Sequence, residues 1–218
     1  MTISTPVNAA APPTSGSFPV IAMAASVGGL KALSVILGGL PKDFPASVAI
    51  VMHLSPDYKS VLAEILGKRT DLVVKQAQTG DVLCLGCVFV APPNHHLSVA
   101  ANRRLKLSSS DAVKIHYARP SAEPLFASVA AVFKKNAIAV VLTGGDGDGS
   151  FGVQIIKQGG TVIAQDRPTS EDFSMPKSSI ETGDVDFVLP LDAIAPKLIE
   201  LVTSLCSPGI RPAMLPPE

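Results

Sequence analysis

The chain has 218 residues, 47% of them apolar and only 17% charged, with Lys+Arg and Asp+Glu balanced at 18 each. This length suits one domain with a substantial core, and the composition excludes a disordered or fibrous chain. Zero net charge without a basic stretch argues against nucleic acid or an anionic membrane as the main partner. No apolar run approaches the roughly 20 residues of a spanning helix, so membrane insertion is not expected.

Residues 1–17, rich in Pro, Ala, Ser and Thr, read as a flexible tail. They carry neither a basic residue nor an apolar h-region, so no secretory signal is expected and the cytoplasm is the expected compartment. A strand over 18–24 then runs into Ala24-Ala25-Ser26-Val27-Gly28-Gly29. Small residues around Ser26 allow a sharp strand-to-helix turn that leaves its Oγ accessible, the logic of the esterase elbow G-x-S-x-G with Ala24 in place of the first Gly. A helix starting at about Gly28 would aim free N–H groups at that oxygen. A Ser-capped helix or a phosphate-cradling loop fits the same residues, although G-x-G-x-x-G and a Walker lysine are both missing.

A second strand, 46–52, ends at His53. Asp57 is placed to cap a helix with Val61, Leu62, Ile65 and Leu66 on one face. Between about 68 and 118, short strands at 72–76, 87–91 and 97–100 alternate with turns and suggest an antiparallel extension. Cys84-Leu85-Gly86-Cys87 is a C-x-x-C in turn and strand. It lacks the second pair of a structural zinc site and the helix N-terminus of a redox motif, so it reads as two semi-buried thiols and no metal is expected. His95, His96 and His116 rival His53, but the first two follow Pro92-Pro93-Asn94 on a turn, where a solvated or hydrogen-bonded role is expected.

Ser121 is placed to cap a helix carrying Leu125, Val129, Val132 and Phe133. The strand 137–142 feeds Thr143-Gly144-Gly145-Asp146-Gly147-Asp148-Gly149, a loop too glycine-rich for packing alone. It can aim backbone N–H groups at an anion and set a carboxylate against a histidine. It is not an EF-hand loop, because Phe151-Gly152-Val153-Gln154 follows. The choice between Asp146 and Asp148 stays open on these residues. Strands at 161–165 and 186–189 and a helix with Ile194, Leu198, Leu201, Val202 and Leu205 complete the domain, 18–206, before a proline-rich tail, 207–218.

The elements predict an α/β fold, a doubly wound, mostly parallel sheet with helices on both faces and a short antiparallel extension. The carboxyl ends of parallel strands line one crevice in such sheets, so Ser26, His53 and a loop aspartate can converge as nucleophile, base and orienting carboxylate.

Residues 18–204 resemble the catalytic domain of the chemotaxis protein-glutamate methylesterases (CheB type). The family's G-A-S-T-G-G appears as Ala24–Gly29, its Q-H-M/L as Met52-His53-Leu54, and its L-T-G-M-G-x-D-G as Leu142–Gly149. Val88–Pro92, Arg119-Pro120-Ser121, Leu125–Ala130, Ala164-Gln165-Asp166 and Ser174-Met175-Pro176 also match, and His53–Asp57 with Lys59-Ser60 looks closest to the version fused to a methyltransferase. The resemblance implies Ser26 as nucleophile, His53 as general base and Asp148, rather than Asp146, as its partner. It implies an oxyanion site from backbone N–H groups near Val27 and Gly145, and no cofactor. The implied reaction is hydrolysis of glutamyl γ-methyl esters, with glutamine deamidation by the same parts. Methyl-accepting chemotaxis receptors are the implied partners, beside a separate regulator or methyltransferase. Three departures stand out. Val27 replaces the Thr after the nucleophile, Gly145 replaces the loop Met, and a short tail stands where the family commonly carries a phospho-receiver domain. A weakened enzyme that serves as a receptor-binding module is the competing expectation.

Overall fold

The computed structural model describes residues 18–53, 60–115, 118–145 and 150–206. Along the chain these form β1 (Val20–Ala25), α1 (Gly29–Gly38), β2 (Ser47–Met52), α2 (Leu62–Gly67), β3 (Val73–Gln76), β4 (Cys87–Val90), β5 (Leu97–Val99) and β6 (Leu105–Leu107). They continue as α3 (Ala122–Phe133), β7 (Ala137–Val141), α4 (Ser150–Lys157), β8 (Thr161–Gln165), α5 (Ser174–Glu181), β9 (Phe187–Leu189) and α6 (Leu191–Cys206). Seven strands pair in the order β3-β4-β2-β1-β7-β8-β9, every pair parallel.

The continuous apolar strands are covered on both faces, and their alternation divides the core in two. Ile21, Met23 and Ala25 point to one side with Val48, Ile50, Ile138 and Val140, under α1, α2 and α6. Val20, Ala22 and Ala24 point to the other with Ala49, Val51, Ala139 and Val141, under α3 and α4. The alanines on this second face make room for Phe89, Phe126 and Phe133, all buried. The helical stripes behave as the sequence suggests. Leu125, Val129 and Phe133 of α3, and Ile194, Leu198 and Val202 of α6, are buried. Ser121 caps α3 by accepting from the Glu123 N–H at 3.2 Å. Asp57 lies outside the described residues, and α2 begins at Leu62, one residue into its expected stripe.

The structure revises three expectations. Among the described strands β5 and β6 form the expected short antiparallel extension, whereas β3 and β4, expected within it, join the main sheet in parallel register. Cys84 and Cys87 are semi-buried but are bonded as a disulfide rather than standing as two thiols. Gly86, at φ 69°, turns the chain so that their Cα atoms are 5.5 Å apart, within disulfide reach. Finally, α4 and α5 have no counterpart among the expected helices. The α5 sequence SMPKSSIE is largely polar and buries only Met175, Pro176 and Ser179, so it leaves no apolar stripe to read.

Candidate active site

From β1 the chain moves through β2 to the β3–β4 edge, then returns to β7 on the other side of β1. The crevice beyond the carboxyl ends of these central strands is where such a sheet binds its ligand. Register brings the key residues together there. Ala25 pairs with Met52 and Ala24 with Val141, so the same register carried onward brings Ser26, His53 and Thr143 out side by side. Backbone hydrogen bonds fix the exit, from His53 N–H to the Ala25 carbonyl at 3.1 Å and from Ser26 N–H to the Thr143 carbonyl at 2.9 Å. Asp146 and Asp148 lie outside the described residues, on the loop that leaves Gly145.

The serine turn is tightly built. Gly28, at φ 75°, is the N-cap of α1, a backbone state that disfavours a side chain. A Cβ there would also come 2.8 Å from the Glu171 Oε2. Ser26 is half-buried, while Val27 is 48% exposed at the rim. Gly145 faces it across the opening, where a Cβ would lie 4.0 Å from the Val27 Cγ2 and 3.0 Å from the Asp172 Oδ2. The Gly144 N–H is committed to the Asp172 carbonyl at 2.9 Å. The N–H groups of Val27 and Gly145 have no such bond among the described residues.

Thr143 ties the serine turn, the glycine loop and the 172 segment together, a role the sequence did not suggest. Its buried hydroxyl lies 2.9 Å from the Val27 carbonyl and 3.1 Å from the Asp172 carbonyl, and it accepts from the Asp172 N–H at 2.9 Å. Its own N–H donates to the Oε1 of fully buried Gln165 at 2.9 Å, and that amide's Nε2 donates onward to the Thr169 carbonyl at 2.8 Å. Thr143→Val keeps the shape but leaves the Asp172 N–H and a carbonyl unmet. A loss of about 1–3 kcal/mol is expected, read by urea denaturation as a lower midpoint at unchanged slope.

Two of the three rival histidines are held by hydrogen bonds elsewhere. His96, 7% exposed, accepts from the Ser121 N–H on Nδ1 at 3.1 Å, so its Nε2 carries the proton given to the Val113 carbonyl at 2.9 Å. His95 Nδ1 is 2.7 Å from the Ser108 carbonyl. Both pin the β5–β6 region as hydrogen-bonded turn residues. His116 lies outside the described residues. Among the described residues there is no cluster of three or more His, Cys, Asp or Glu able to hold a metal, and no helix long and apolar enough to cross a membrane.

A cavity of about 580 Å³ opens at Ser26 and runs along α1 towards α2, lined in part by Leu30, Lys31, Val35, Ile65 and Arg69.

The CheB methylesterase family model matches residues 21–198. A protein-glutamate methylesterase/protein-glutamine glutaminase of Anaeromyxobacter dehalogenans is 41% identical over 194 residues, covering 88% of this chain and 56% of that protein. One of Thermotoga maritima is 40% identical over 185 residues, 84% of this chain and 54% of that protein. The chain therefore spans about half the length of the curated relatives it matches. The crystal structure of the Thermotoga maritima CheB methylesterase catalytic domain superposes with a TM-score of 0.80 at 39% identity, covering 85% of this chain and 100% of that one.

Proposed function

The chain belongs to the CheB methylesterase family, and from that premise we propose that it hydrolyses glutamyl γ-methyl esters on methyl-accepting chemotaxis receptors. His53 takes the Ser26 proton as Oγ attacks the ester carbonyl, and Asp148 holds the imidazole in the required tautomer. The Val27 and Gly145 N–H groups donate to the oxyanion of the tetrahedral intermediate. Methanol leaves with the proton from His53, and water then attacks the acyl-enzyme to release a free glutamate. Glutamine side chains follow the same path with ammonia as the leaving group. A separate regulator or methyltransferase works beside it in the cytoplasm.

The observation that carries this reading is the exit of Ser26 and His53 side by side from parallel neighbours, with residues 142–145 leaving β7 on the other flank of β1. The test is methanol release from a methylated receptor, with a serine-directed fluorophosphonate applied in parallel. Release together with labelling mapped to Ser26 is expected; release without labelling there refutes the nucleophile.

A second reading, a receptor-binding module without turnover, has one observation in its favour. The Asp172 carboxylate, which accepts from the Ser174 N–H and hydroxyl, lies next to Gly145, where it opposes a developing oxyanion. Receptor binding with neither methanol nor labelling selects it.

A further inference from the structure

The cavity at Ser26 is much longer than an ester group requires, and its charge is one-sided. Glu171 and Asp172 stand behind the serine turn and beside Gly145. In the opposite direction, along α1, Lys31 and Arg69 line the cavity, both exposed and neither with an ion-pair partner among the described residues. Between them the wall is apolar and open, with Leu30 37% and Val35 42% exposed. The Arg69 backbone packs at the last residue of α1, its carbonyl 3.0 Å from where a Gly38 Cβ would sit. Ser26 marks the near end. Along α1 the lining runs from Gly28 to Val35, about 10 Å at roughly 1.5 Å per residue.

We propose that this groove receives the substrate segment beyond the reacting ester, and that Lys31 and Arg69 hold glutamates on it that are already free acids. The inference rests on the esterase reading and adds a substrate preference to it. The occupant is an amphipathic helical segment whose apolar side covers Leu30 and Val35 and whose carboxylates meet the two cations. The chemistry selects it because a methyl ester or a glutamine offers these cations no charge, whereas the product of the reaction does. Each turnover thus makes a neighbouring site on the same substrate a better ligand. Hydrolysis along a receptor helix accelerates as it proceeds.

Synthetic helical peptides test this. Each carries one glutamyl γ-methyl ester and, within three turns on one side, Glu, Gln or Lys at the same positions. Fluorescence anisotropy reads binding of the labelled peptides, and methanol release reads kcat/KM. Exposed charge contacts of this kind favour the Glu peptide over the Gln peptide about 3- to 10-fold, and the preference shrinks as salt is raised. The Lys31→Glu/Arg69→Glu double variant is expected to reverse the order and favour the Lys peptide, a gain that misfolding cannot produce. Equal binding of the Glu and Gln peptides by the unaltered protein overturns the proposal, as does an unchanged preference in the double variant. Charge-dependent binding without methanol release leaves the groove assignment standing and removes the esterase reading instead.

Discussion

Ser26→Ala and His53→Ala are each expected to lower methanol release by about 10⁴- to 10⁶-fold, and the double variant to be no worse than either alone. The non-additivity is the informative part. A hydroxyl without its base and a base without its hydroxyl leave the same residual, namely binding and oxyanion stabilisation by backbone N–H groups that neither substitution touches. Both side chains are only half-buried at strand ends, and their backbone hydrogen bonds survive truncation, so thermal unfolding should change little. The loop carboxylates separate cleanly in the same assay. Asp148→Asn is expected to cost about 10³- to 10⁴-fold through the wrong imidazole tautomer, whereas Asp146→Asn retains most of the activity. Single-variant effects that simply multiply in the double variant would contradict a serine–histidine unit, and full turnover by Ser26→Ala would dispose of it.

The second large effect is expected at Gly144, a residue with no chemistry of its own. A Cβ at this position would lie 2.9 Å from the Ser26 Cβ and closer still to the Sδ of fully buried Met175. The methionine belongs to the first turn of α5, its side chain is packed into the core, and the Gly144 carbonyl accepts from its N–H at 2.9 Å, so little room is left for it to step aside. Ser26, half-buried at the rim, is the other neighbour that the added methyl presses on. Gly144→Ala is therefore expected to push Ser26 out of line, and for a reacting group a displacement of about 1 Å is enough to cost about 10²-fold in rate. Overpacking should add a stability loss of about 1–3 kcal/mol, visible in urea. The control is Gly144→Ala combined with Met175→Ala, which opens the space on one side. Recovery of fluorophosphonate labelling at Ser26 in that double variant is expected, and no recovery would place the damage elsewhere.

The central strands and the long helices were legible because their side chains leave no ambiguity. VIAMAA, SVAIVM and AIAVV are continuous apolar runs, and the stripes of α3 and α6 repeat at helical spacing. The positions of Ser26 and His53 followed from the strand ends alone, because β1 and β2 are both sequential and adjacent. What stayed hidden depends on contacts across the sequence. Thr143 reads as one more loop residue until the fold brings Val27 and Asp172 to its hydroxyl. Lys31 and Arg69 read as ordinary surface cations until α1 and the end of α2 define a groove between them. The disulfide was missed for a local reason, since the turn that closes it depends on the positive φ of Gly86, which a C-x-x-C spacing does not specify.

The strand order has a consequence for how this molecule comes apart. β3 and β9 are the outermost strands, and both expose alternate residues such as Val73 and Val188. β1 has partners on each side and no solvent-facing residue. Edges fray before centres, so amide protons in β3 and β9 should exchange with the solvent through small openings, while those of β1 wait for global unfolding. The strand that delivers Ser26 is therefore the last to let go, and warming loosens the periphery of the sheet well before it reaches the proposed site.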